Sequence, residues 1–169
     1  LTSSFLGPAW AEELLKFSIL YLIVLKRNEF NEPMDGLVYG VVVSLGFATY
    51  ENYTYVYQWA ELIAKDKGVN VEDLSYLIAL GRSYSAVPMH GLNGAVMGYY
   101  FGMYVFTGNK KFLILSLALP YLFHGFYNFL SWPNPMIIVG ILVIFSFYLH
   151  GDLKRKQKFK KKETEIKKI

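Results

Sequence analysis

The sequence predicts an all-α protein, a polytopic membrane helix bundle with about five transmembrane helices, one outer interfacial helix and a basic C-terminal tail. Two observations support this fold class. Of the 169 residues, 54% are hydrophobic and 18% are aromatic, which exceeds what a soluble domain of this size carries. Five apolar segments also follow one another along the chain, at residues 5–25, 36–57, 87–106, 112–132 and 135–150.

The first four segments are long enough to cross a hydrocarbon core of about 30 Å, which takes about 20 helical residues. The fifth is short but uninterrupted, and we expect it to cross with help from flanking residues. Asp35 is expected to cap the start of the second span. Region 58–86 contains "VEDLSYLIALGRSYSAV", whose apolar residues recur at helical spacing, so it predicts an amphipathic helix along the membrane surface. The chain thus divides into a membrane-embedded domain, residues 1–151, and a tail, residues 152–169.

The positions of the basic residues predict the orientation of the chain. The tail is rich in lysine, and the two short loops "LKRNEF" and "GNKK" are also basic. By the positive-inside rule the tail and both loops are cytoplasmic, which places region 58–86 outside the cell. We expect the tail to bind anionic lipid at the membrane surface rather than nucleic acid.

Polar and ionisable side chains occur in four of the predicted spans, always towards the same end. They are Glu12, Glu13 and Lys16 in the first span, Glu51 and Asn52 in the second, His90 in the third, and His124 and Asn128 in the fourth. In the predicted orientation all of them lie in the outer half of the bilayer. Because an ionised side chain at the centre of a membrane helix costs about 2.5–3.5 kcal/mol on insertion scales, such residues usually serve a functional site.

Spacing along the helices supports this interpretation. Glu12 and Lys16 are i,i+4 neighbours on one helix face, as are His124 and Asn128. The third span also carries a stripe of small residues, which predicts close packing of another helix. The stripe consists of Gly91, Gly94, Gly98 and Gly102.

Each polar residue also has a structural interpretation. A single histidine such as His90 is more often a satisfied buried residue than a ligand. His90 is a candidate site residue only because the other motifs accompany it. Glu51 and Asn52 are as consistent with bracing neighbouring helices as with catalysis. Arg82 and Asp35 are expected to pair or to cap helices.

Four separated motifs in this sequence resemble the PrsW family of intramembrane proteases. They are "EELLK", "EPMDGLVYGVVVSLGFATYEN", "PMHGLNGAVMGYYFG" and "HGFYNFL", in this order between Trp10 and Leu130. The family is similar in turn to the type II CAAX prenyl endopeptidases, which use a glutamate pair, a later histidine and a final His-x-x-x-Asn. The resemblance implies a multi-pass protease of the cell membrane that cleaves a single-span anti-sigma factor on its extracellular side. This site-1 cleavage leads to release of a stress-response sigma factor.

The resemblance also implies roles for the polar residues. Glu12 would be the general base and would hold a water together with His90. His124 and Asn128 would donate hydrogen bonds to the oxyanion, where loss of one donor typically costs about 10²–10³ in rate.

The remaining polar residues are expected to support this site. Glu13 would orient its neighbours, and Lys16 would be a counter-charge that lowers the cost of inserting the glutamate pair. Glu51 and Asn52 would support the site from the second span. Adjacent residues on a helix point about 100° apart, so sequence alone does not decide which glutamate is the base.

The rival mechanism uses zinc. His90, His124 and Glu12 would form a ligand set with one position open for water, as in catalytic zinc sites. The sequence lacks HExxH spacing, which is the strong zinc signal on a single helix. We therefore favour glutamate-activated water without a cofactor and keep zinc as the alternative.

Two other functions also agree with part of the pattern. Intramembrane carboxylates and histidines can form the pathway of a small ion or proton transport subunit, although such a pathway needs polar groups at several depths. A catalytically inert relative could instead act as a membrane chaperone. The intact motif residues argue against that function.

Overall fold

The computed structural model describes residues 4–130 and 134–166, with side chains as far as residue 157. Within these ranges the chain forms helices and no strand, so the all-α prediction is confirmed. The α-helices are α1 (Trp10–Leu22), α2 (Pro33–Tyr53), α3 (Ala60–Lys67), α4 (Val71–Tyr84), α5 (Ala86–Thr107), α6 (Lys110–Phe129) and α7 (Pro135–Ile166). Two π-helical turns, Phe5–Ala9 and Thr54–Trp59, precede α1 and follow α2.

An α-helix lies at each of the five predicted apolar segments. Two helices of the described chain are long and apolar enough to cross a membrane, α6 at Lys110–Phe129 and the part of α7 from Pro135 to Gln157. Helix α7 then continues without a break through Ile166, so the first residues of the predicted tail extend the last helix. Residues 131–132 of the fourth segment and 167–169 of the tail lie outside the described residues.

Helix α5 is the centre of the bundle, because apolar side chains pack against it from two sides. One cluster joins α5 to α7 and includes Val96 and Leu142, both fully buried. A second cluster joins α5 to α1 and includes Leu20, Met97 and Phe101. Close packing of these buried side chains stabilises the bundle, because side chains in a protein interior interdigitate with few voids.

The small-residue stripe on α5 packs against α2. The two helices are antiparallel, since Gly36 of α2 faces Gly98 and Gly102 while Gly40 faces Gly94. A Cβ atom on Gly36 would lie 2.5 Å from the Gly98 carbonyl oxygen, closer than van der Waals contact allows. The predicted close helix approach is therefore confirmed, and α2 is its partner.

Region 58–86 forms two helices where the sequence predicted one. Helix α3 ends at Gly68, whose φ of 66° is the left-handed conformation that favours glycine. Helix α4 then begins after Asn70, whose side chain accepts a hydrogen bond from the Asp73 backbone N–H at 3.0 Å. Both helices lie at the end of the bundle where α2 ends and α5 begins, which we call the α3–α4 end.

Asp35 caps α2 from inside the helix rather than from its first position. The helix begins at Pro33, and the Asp35 carboxylate accepts the backbone N–H of Glu32 at 2.8 Å. The Glu32 side chain accepts in return from the backbone N–H of Asp35, which completes a capping box. Asp35 therefore caps the start of this helix, which is one of the two roles that the sequence predicted for it.

Candidate active site

The structure brings the predicted polar residues together at the α3–α4 end. Helices α1 and α5 begin at this end, and α2 and α6 finish there, so residues far apart in sequence become neighbours. Six of the residues form one continuous contact network, comprising Glu12, Glu13, Lys16, Glu51, His90 and His124. Asn52 joins it through Arg82, and Asn128 borders the same cavity as Glu12.

Lys16 is the hub of the network. Its side chain is 1% exposed, and Nζ donates to Glu13 Oε1 at 2.7 Å and to His90 Nδ1 at 2.9 Å. Nζ also lies 3.8 Å from Glu12 Oε2 and 4.7 Å from the centre of the Phe47 ring. This arrangement suits a counter-charge, because a buried ammonium requires paired and hydrogen-bonded partners.

The two adjacent glutamates occupy different environments. Glu13 is fully buried, and its Oε1 accepts hydrogen bonds from Lys16 and from His124 Nδ1, the latter at 2.8 Å. Glu12 is partly exposed and borders a cavity of about 250 Å³. The cavity is lined by Ser4, Pro8, Glu12, Glu51, Tyr55 and Asn128. A substrate entering this cavity would therefore meet Glu12, whereas Glu13 is shielded from it.

The two histidines face each other across α5 and α6. Their ring centroids are 5.3 Å apart and the rings are nearly perpendicular. One turn further into the bundle, the buried Asn93 amide donates to the Pro120 backbone carbonyl at 2.9 Å. Asn93 therefore joins the two helices next to the histidine pair, a link that the sequence motifs did not indicate.

Arg82 is the polar residue that sequence reasoning left outside the site. Its Nη2 donates to Glu51 Oε2 at 2.7 Å, and its Nε donates to Asn52 Oδ1 at 2.6 Å. The same Glu51 oxygen lies 2.8 Å from His90 Nε2. The only sequence signal was an isolated arginine shortly before the third predicted span.

The donor set fits a divalent cation in its chemistry. Glu12, His90 and His124 each offer one ligand atom, and these atoms lie within 4.8 Å of one another. Among the described residues, Glu12 Oε2 is buried without a hydrogen-bond partner. In a neutral His124 whose Nδ1–H donates to Glu13, the other ring nitrogen is an acceptor, and it lies 3.8 Å from Glu12 Oε2. Carboxylates orient metal-binding histidines in this way.

Of the three donors, His90 is the one whose ligand atoms are already occupied by other contacts. Both of its ring nitrogens are already hydrogen-bonded, Nδ1 to Lys16 and Nε2 to Glu51. The contact between Nε2 and Glu51 would have to open before His90 could bind a cation through that nitrogen. Glu12 and His124 therefore face each other directly, whereas His90 is held by the Glu51 carboxylate.

Known proteins resemble the chain over most of its length. Three curated relatives are each named "Protease PrsW". The one from Clostridioides difficile (strain 630) is 30% identical over 155 residues, covering 86% of this chain and 60% of the relative. The one from Geobacillus kaustophilus (strain HTA426) is 39% identical over 129 residues, covering 75% and 51%. The one from Bacillus subtilis (strain 168) is 41% identical over 130 residues, covering 75% and 53%.

The chain thus spans between about half and three fifths of the length of these relatives. No solved structure is significantly similar to it. A family model described as "PrsW family intramembrane metalloprotease" matches residues 1–150. This match and the relatives confirm the family indicated by the four motifs. The chain therefore belongs to the PrsW family of intramembrane metalloproteases.

Proposed function

We propose that the chain is the catalytic part of an intramembrane endopeptidase that performs site-1 cleavage of a single-span anti-sigma factor. One observation carries the proposal: four helices bring three glutamates and two histidines into one network, of which Glu12 and Glu51 border a cavity. Membership of the PrsW family supports the reaction class. Ionisable groups are costly inside a membrane and are retained there chiefly for function.

The proposed topology has five spans, with the C-terminus in the cytoplasm and the α3–α4 end on the outer side. The basic loops and the lysine-rich C-terminal region support it, because positive charge accumulates on the cytoplasmic side. The site then lies in the outer half of the bilayer, where a substrate can be cut on its extracellular side. The basic tail contacts anionic lipid at the opposite surface.

In the proposed mechanism Glu12 accepts the proton of the attacking water. It is the carboxylate at the cavity, and general acid–base groups contribute about 10²–10⁴ in rate. Asn128 borders the same cavity and donates its amide to the developing oxyanion. We favour Asn128 over His124 in this role, because a neutral His124 ring has one N–H and donates it to Glu13.

Glu13 and Lys16 position the reacting groups rather than react themselves. Glu13 holds the His124 ring, and Lys16 joins Glu13 to His90. In the alternative mechanism Glu12 is a ligand instead of the base, and Glu12, His124 and His90 would hold the cation that the family description implies. When bound there, a divalent cation supplies a Lewis acid that polarises water and the peptide carbonyl.

The test is cleavage of a co-expressed single-span anti-sigma factor by the wild type, Glu12→Gln, Glu13→Gln and His124→Ala at matched membrane abundance. We expect Glu12→Gln to lower the cleavage rate by about 10²–10⁴, the range for a lost general base. Glu13→Gln should lose less, since Gln can still accept the hydrogen bond from His124. Glu61→Gln is the matched control, because Glu61 is exposed on α3.

Two further results bear on the mechanism. Full cleavage by Glu12→Gln would contradict its role as the base. Loss of cleavage when the purified enzyme is treated with a chelator, with recovery on added zinc, would favour the alternative in which Glu12, His90 and His124 bind the cation. Activity that resists the chelator would favour the mechanism without a cofactor.

A further inference from the structure

Arg82 reaches the site from helix α4, outside the five helices at the apolar segments. Its guanidinium donates to Glu51 at 2.7 Å and to Asn52 at 2.6 Å, and its central carbon lies 4.3 Å from the centre of the Tyr55 ring. Only 13% of its side chain is exposed. All three partners belong to the end of α2 and the turn that follows it, so Arg82 fixes this segment from one side.

Glu51, which Arg82 holds in place, in turn contacts the His90 ring. A carboxylate only accepts hydrogen bonds, so the 2.8 Å contact with Glu51 places a proton on His90 Nε2. A lysine ammonium only donates, so the 2.9 Å contact with Lys16 leaves His90 Nδ1 as an acceptor. The orientation of the His90 ring is therefore held from both nitrogens.

A carboxylate also holds His124. Its Nδ1 lies 2.8 Å from the Glu13 carboxylate. Glu13 thus orients His124 from within the network, and Glu51 orients His90 from its edge.

We propose that Arg82 is a positioning residue that, through Glu51, fixes the ring orientation of His90. The proposal rests on the proposed function for the importance of His90 in catalysis. Glu51 borders the cavity and has two partners on one oxygen, Arg82 and His90. Without Arg82, Glu51 turns towards the cavity and His90 Nε2 loses its acceptor.

An arginine suits this role better than a lysine. Its planar guanidinium reaches Glu51 and Asn52 at the same time in a fixed fork, which a single ammonium cannot reproduce. Arg82→Lys retains the charge near Glu51 but loses this geometry. It should therefore rescue part of what Arg82→Ala loses.

The first readout is nitrogen NMR of purified protein labelled at histidine. The chain has 3 histidines, and a His150→Gln variant assigns the one remote from the site. We expect one Nε2–H signal from His90 and one Nδ1–H signal from His124. Arg82→Ala should shift the His90 signal and leave that of His124 in place, whereas an unchanged His90 signal would overturn the proposal.

The second readout is the kinetics of substrate cleavage. Loss of a partner that orients a metal-binding histidine typically costs about 10–100-fold in metal affinity or activity, and we expect kcat of Arg82→Ala to fall in the same range with KM unchanged. Arg82→Ala combined with Glu51→Gln should be no slower than Glu51→Gln alone. A change confined to KM, or losses that multiply in the double variant, would contradict action through Glu51.

Controls separate this inference from folding and from the proposed function. Lys65→Ala removes an exposed basic side chain from the neighbouring helix α3 and should change neither readout. Arg82→Lys provides a folded variant if Arg82→Ala does not fold. If the wild type cleaves no substrate, the proposed function fails, and the NMR signals of His90 still decide the role of Arg82.

Discussion

Replacing Lys16 with methionine would remove the counter-charge at the centre of the site while keeping the side chain long and apolar. Lys16 is among the largest fully buried side chains in the described structure, and its Nζ contacts Glu13 at 2.7 Å. In Lys16→Met, Glu13 would remain buried with His124 as its hydrogen-bond donor. The carboxylate would then lack the ammonium that offsets the cost of removing it from water.

The expected cost follows from this geometry. Removing one partner of a buried ion pair destabilises a protein by about 3–5 kcal/mol, because the other charge stays buried and unpaired. Lys16 also donates to His90, so its loss leaves a second buried acceptor unsatisfied. We therefore expect Lys16→Met to lower the free energy of unfolding by about 3–5 kcal/mol.

A double variant tests the cause of this loss. In Lys16→Met combined with Glu13→Gln no buried carboxylate is left without its partner, so most of the lost stability should return. Unfolding can be followed by circular dichroism in detergent with increasing sodium dodecyl sulfate. Lys65→Met is the control, since substitutions at exposed positions usually change stability by less than about 0.5 kcal/mol.

Two outcomes would refute the reasoning. A loss below about 1 kcal/mol for Lys16→Met would mean that the pair contributes no more than a surface ion pair. Additive losses in the double variant would mean that Lys16 and Glu13 are not coupled.

Two further predictions concern helix packing and topology. Gly98→Ala should destabilise the bundle by about 1–3 kcal/mol through overpacking against α2, whereas Gly140→Ala, where nothing lies within 4 Å, should be neutral or slightly stabilising in the same unfolding assay. Because the chain has no cysteine, single cysteines report topology without background. In intact cells a membrane-impermeant maleimide should label Lys67→Cys and spare Lys110→Cys until the membrane is permeabilised, and the reverse pattern would refute the proposed orientation.

The sequence alone predicted the helices that carry the site residues. Long apolar segments have few alternatives to a helix when backbone polar groups must be satisfied internally. The glycine stripe likewise predicted a close helix contact, since small residues are a local property of one helix. Region 58–86 was less predictable, because a single glycine in the left-handed conformation divides it into α3 and α4.

The candidate site was predictable as a set of residues but not as a set of contacts. The motifs carry Glu12, Glu13, His90 and His124 in three widely separated stretches, and their place in apolar segments shows that they are costly in a membrane. The difference between Glu12 and Glu13 depends on helix rotation, which is set by packing against α5 and α6. Only the tertiary structure places Glu12 at the cavity and Glu13 under Lys16 and His124.

Arg82 shows the same limit most clearly. It lies 31 residues from Glu51 in sequence, and no periodicity connects them. Its partner was set by where α4 lies against the end of α2, which depends on a turn, a cap and a short helix rather than on a motif. The sequence by itself determined the family, the helices and the chemistry available. The tertiary structure decided which glutamate borders the cavity and which glutamates Lys16 and Arg82 contact, because those contacts join residues that only packing brings together.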